Sequence, residues 1–133
     1  MRKKKGKIEW LDAPDIKLRL EKLVKNLNLN WIDLNRIYCM RSENAKTWAY
    51  ARIWGLGRIW QQALDIYPSY VIEIISEKFD SLDSLEKDKV LLHELTHIPR
   101  NFSGSLVPHI RQGKGNFKRK VDTLIFRYLS EKR

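Results

Sequence analysis

The hydrophobic positions change period along the chain. In "PDIKLRLEKLVKNLNL", starting at Pro14, Ile16, Leu20, Leu23, Val24 and Leu27 recur at helical spacing, with Pro14 in the first turn where its missing N–H costs nothing. The segments "RIYCMRS" and "TWAYARIWG" are rich in β-branched and aromatic residues. The polar stretch "ENAK" separates them, so they predict paired strands that open a meander. "LGRIWQQALDIYP" fits a strand or a short helix. After Pro68 and Ser69, "YVIEII" is the clearest strand signal. Short connections predict three or four strands with antiparallel neighbours.

Helical period returns at Asp83, an N-cap with Glu86 three positions on, in the pattern of a capping box. The helix predicted through "SLEKDKVLLHELTHI" stops near Ile98, because Pro99 disfavours the helical conformation just before it. A loop with glycines follows. The chain then closes in a helix whose Val121, Leu124, Ile125, Tyr128 and Leu129 form one apolar stripe. The expected fold is α+β: a small, mostly antiparallel or mixed sheet packed on the helix after Asp83, with helices near both ends.

Composition narrows the class. With 133 residues there is room for one core, expected over residues 9–133, behind a basic flexible tail at residues 1–8. No apolar run of about 18 residues is present to cross a bilayer, and the basic N-terminus lacks the apolar core of a signal peptide. Cys39 is the single cysteine, so an internal disulfide is excluded and a reducing, cytoplasmic setting is expected. In its predicted strand it reads as a small buried hydrophobe. The net charge of +10 is concentrated near the ends: "RKKKGK" at the start, and eight Lys or Arg from Arg111 to Arg133. Such tails attract polyanions and predict nonspecific nucleic-acid contact.

All three histidines lie between Val90 and Gly113. On a helix, His93 and His97 project from one face a turn apart and can reach one ion. Glu94 sits about 100° round the helix from His93, placed to act on water rather than to ligate. Neutral imidazoles leave the charge of a zinc ion intact, so that it can acidify water to a pKa of about 7 and Glu94 can take the proton. A catalytic zinc site also needs a third protein ligand. His109 is the only histidine left, and the turn after Pro99 permits its return, although spacing alone does not require it.

"HELTHIP" followed by "PHIR", with "ARIWGLGRIWQQAL" and "YVIEIISEKFDSL" upstream, resembles the metallopeptidase family found in phages and archaea. The resemblance runs from about Trp10 through Arg111. It implies a minimal zincin-like fold, one Zn²⁺ held by His93, His97 and His109, and Glu94 as general acid/base in peptide hydrolysis. More distantly, the chain is similar to SprT-like proteases, which act on DNA-bound proteins, without their cysteine-rich zinc ribbon.

Zincin-like clefts use a strand to hold substrate backbone, and "YVIEII" is the candidate here, with Tyr70, Ile72, Glu73 and Ile74 against substrate. Tyr70, Arg111 and Tyr128 are candidate charge stabilisers. The five tryptophans, at 10, 31, 48, 54 and 60, are read as core and rim packing in preference to base stacking beside Arg52 and Arg58. The rival to a peptidase is a nucleic-acid-binding protein with a structural or vestigial zinc site. A hybrid would be a protease acting on DNA-bound proteins.

Overall fold

The structure, a computed structural model, describes residues 6–109 and 117–131. Strand β1 (Glu9–Asp12) leads into helix α1 (Pro14–Asn26), then β2 (Ile37–Glu43), β3 (Ala51–Gly55), helix α2 (Arg58–Leu64), β4 (Tyr70–Ile75), the one-turn helix α3 (Ser76–Phe79), α4 (Ser84–Thr96) and α5 (Phe117–Glu131). The fold is α+β, as the alternating periods predict.

The sheet is mixed and runs in the order β1-β2-β4-β3. β4 lies between β2 and β3, parallel to the first and antiparallel to the second. The expected β2–β3 meander is therefore wrong. The apolar YVIEII strand displaces it, because a strand covered on both edges and buried on its core face suits the sheet interior. On that face Ile72 and Ile74 are fully buried, packed in one cluster with Ile16 and Leu20 of α1 and Leu91, Leu92 and Leu95 of α4. Each such side chain contributes about 1.5–3 kcal/mol of burial. Cys39 lies buried in the same cluster.

β1 had no signal of its own. It is a short, exposed strand paired antiparallel with β2 from Glu9 opposite Glu43 to Asp12 opposite Met40. The ambiguous segment is helical in α2, ended by Asp65 in a left-handed conformation. α4 begins as predicted, with the Asp83 carboxylate accepting the N–H of Glu86 at 2.8 Å. Asp88, buried on α4, accepts from Arg19 of α1 (2.8 Å) and from the Tyr128 hydroxyl of α5 (2.5 Å), tying three helices together. No helix of the described residues is long and apolar enough to cross a membrane.

Candidate metal centre

The site is built at the end of α4. His93 lies on the last turns, and His97 is the C-cap residue, which leaves its backbone free to bond outside the helix. The carbonyl of His97 accepts the N–H of Val107 at 2.7 Å, and its ring Nδ1 donates to the carbonyl of Val107 at 2.6 Å. This second bond fixes the tautomer and leaves Nε2 as the coordinating nitrogen. Two residues beyond Val107 the chain presents His109, whose Nε2 lies 3.0 Å from Nε2 of His93.

One ring nitrogen from each of His93, His97 and His109 falls within 4.8 Å of the others. Metal–nitrogen bonds of about 2.0–2.1 Å in a tetrahedron separate donors by roughly 3.4 Å, so this set fits one small ion. Phe117, the buried first residue of α5, walls the cluster. Its ring stacks on His97 at 4.2 Å between centroids and meets His93 and His109 at 5.1 and 4.6 Å.

The loop that brings in His109 is gripped from the sheet. The Tyr70 hydroxyl accepts the N–H of Gly104 and donates to the carbonyl of Ser105, each at 2.8 Å. Gln61 of α2 donates from its amide to the carbonyls of Leu56 and Ser103. Contact is close enough that a Cβ on Gly55 would lie 2.1 Å from the Gly104 carbonyl oxygen. Gly104 itself has φ +94°, a conformation that favours glycine.

Electrostatics favour neutral ligands. Burial, then the neighbouring His97 and His109, push His93 down to about 4, and burial also lowers His97. Glu94 is 7% exposed, and burial pushes its carboxyl up to about 8. A divalent cation beside it would pull it back down. These groups line one cleft of about 580 Å³ together with Ala51, Arg52 and Ile53 of β3 and the apolar Val90, Val121 and Ile125.

Thus the structure brings together His93, Glu94, His97 and His109. It places the other candidates elsewhere. Tyr70, Ile72 and Ile74 are buried in the interior strand, where they hold the loop or the core rather than facing a cleft. Glu73 faces the opposite side of the sheet, bonded to Arg52 and Trp54. Tyr128 is engaged with Asp88, and Arg111 lies outside the described residues. The strand that borders the cleft is β3, at the sheet edge. Its sequence carries the alternation of an edge strand, but its place beside the metal helix depends on β4 entering between it and β2. Val107 and Phe117 were unmarked in sequence, since neither residue type signals support of a histidine.

Three histidines that can hold an ion, on and just beyond a helix with a buried glutamate between two of them, make a candidate metal-binding site. The family model described as "Putative phage metallopeptidase" matches residues 8–123, and the chain belongs to that family. No curated protein and no solved structure matches it.

Proposed function

We propose that the chain is a zinc-dependent peptidase of minimal zincin type. The observation that carries this reading is the convergence of three histidine nitrogens beside the buried carboxyl of Glu94, in a cleft bordered by a sheet edge. His93, His97 and His109 would hold the ion. When bound, zinc supplies a Lewis acid that polarises a carbonyl and acidifies water. Glu94 takes the proton from the attacking water and delivers it to the leaving amine nitrogen, a two-way role suited to a carboxyl with a readily moved proton.

β3 supplies the substrate rail. Tyr50 accepts from Ile75 and Leu56 donates to Ser69, each at 3.0 Å, so even-numbered positions bond β4. The N–H and C=O groups of Ala51 and Ile53 therefore point away from β4, toward the free edge. An extended peptide can add there as a further strand. Val90, Val121 and Ile125 suit an apolar side chain next to the scissile bond.

The decisive experiment pairs elemental analysis with a peptide-library assay on wild type and Glu94→Gln. Expected are one zinc per chain in both proteins and hydrolysis by wild type alone. Equal hydrolysis by the two would refute the mechanism.

A further inference from the structure

A second cleft, of about 280 Å³, opens beside the turn that follows α4, and it shares no lining residue with the metal cleft. One wall is a face of α5, where Arg119, Thr123 and Arg127 follow one another at four-residue spacing and Lys120 stands alongside. Arg100 contributes from the turn, with its guanidinium 4.4 Å from the centroid of the Trp31 ring. Four cations thus line one concavity, and no carboxylate lines it with them. None of the four makes an ion pair among the described residues, which include all 16 Asp and Glu of the chain.

Such clustering works against folding, because like charges repel. The first turn of α5 adds to the cost by placing Lys118, Arg119 and Lys120, with no acid, at the positive end of a helix dipole. Lys118 is answered by Asp122 at 3.1 Å, whereas Arg119 and Lys120 meet no carboxylate among the described residues. An anion in the cleft reverses the balance. Two of the cations are already held for one: Arg100 by its stack on Trp31, and Arg127 by donating from Nη2 to the carbonyl of Leu27. Side chains fixed beforehand lose less freedom on binding.

Charge and size select the anion. A phosphate monoester carries about −1.5 to −2 at neutral pH against about −1 for a carboxylate, and it offers three oxygens to the planar forks of arginine. At about 280 Å³ the cleft is at the small end of ligand pockets, so it encloses a single group of this kind. Trp31, Ile98, Pro99 and Leu124 supply apolar surface for whatever carries the phosphate. We infer that this cleft binds a phosphate group, with Arg100, Arg119 and Arg127 donating to its oxygens and Lys120 adding charge. A free diphosphate and the phosphate of a nucleic-acid strand present the same chemistry.

The test is isothermal titration calorimetry of the full chain with inorganic pyrophosphate, with an oligothymidylate, and with citrate as a multiply charged carboxylate. Expected is binding of a phosphate probe well above that of citrate, weakened by salt. Arg100→Gln and Arg119→Gln should each lower affinity about ten-fold, and Arg119→Lys should keep part of it. Both side chains are exposed, so these variants should melt as wild type does. His93→Ala should bind the phosphate probe as wild type, which separates this cleft from an ion at the histidines. Tighter binding of the oligothymidylate, with the same loss in the glutamine variants, names a strand as the source of the phosphate; tighter binding of pyrophosphate names a small phosphate. Undetectable binding of both, equal binding of citrate, or binding untouched by both glutamine variants would overturn the proposal.

Discussion

His97 and Val107 hold each other twice, once through backbone (2.7 Å) and once through the imidazole Nδ1 (2.6 Å). The pair sets the ring of one histidine and, two residues on, delivers another. Val107→Pro removes the N–H that bonds His97 while keeping an apolar side chain. Metal affinity should fall at least ten-fold, in the range seen when a ligand loses its supporting bond. Titration of bound metal with a competing chelator checks this, and wild-type affinity would deny the pair its role.

Tyr70→Phe removes the hydroxyl that both accepts from Gly104 and donates to Ser105. Left without a partner, those loop groups should cost about 1–3 kcal/mol of stability, read from urea unfolding of the metal-free chain. Because His109 lies beyond this grip, metal affinity should also fall. His109→Ala should weaken it further still.

Ile53→Pro tests the substrate rail. Its N–H points to the free edge, so proline removes no ladder bond and is tolerated there as on other edge strands. Metal content and far-ultraviolet circular dichroism should match wild type while kcat/KM falls about ten-fold or more. Unchanged kcat/KM would place substrate elsewhere.

Acid stability should depend on Glu73. Burial pushes its carboxyl up, but hydrogen bonds from Arg52, Trp54 and Ser42 outweigh this and hold it below its ordinary 4.5. A carboxylate lower in the folded than in the unfolded chain adds stability that is full above its ordinary value and is lost as pH falls through the folded one. Wild type should therefore lose stability steeply below about pH 4.5, and Glu73→Gln should flatten that slope while being less stable near neutrality. Equal slopes in thermal melts between pH 3 and pH 6 would contradict this.

Sequence was most informative where one local pattern decides the outcome. The α4 boundaries follow from Asp83 and Pro99, and the nearness of His93 to His97 follows from helical period alone. Partnership between strands was not legible, because β-branched composition marks β2, β3 and β4 without saying which lies between the others. That missing order moved the cleft-bordering strand from YVIEII to β3. One tryptophan misled for a related reason: alternation along a strand separates two faces but does not say which one is covered. Trp48 is 93% exposed, outside the expected core and rim packing, whereas Trp10 and Trp54 sit at the rim, about half exposed and bonded to Glu73. Val107 acts through backbone groups that every residue carries.

The grip of Tyr70 on the His109 loop has an entropic consequence. Closing a flexible loop costs free energy that grows with the logarithm of its length, and that cost falls on whichever contact closes it. Here a sheet phenol and the Val107 backbone already close the segment between His97 and His109. An ion arriving at the three imidazoles thus meets donors whose ordering belongs to folding of the sheet. Its binding free energy is left undiminished by loop closure, and the chain can keep its cleft while the ion comes and goes.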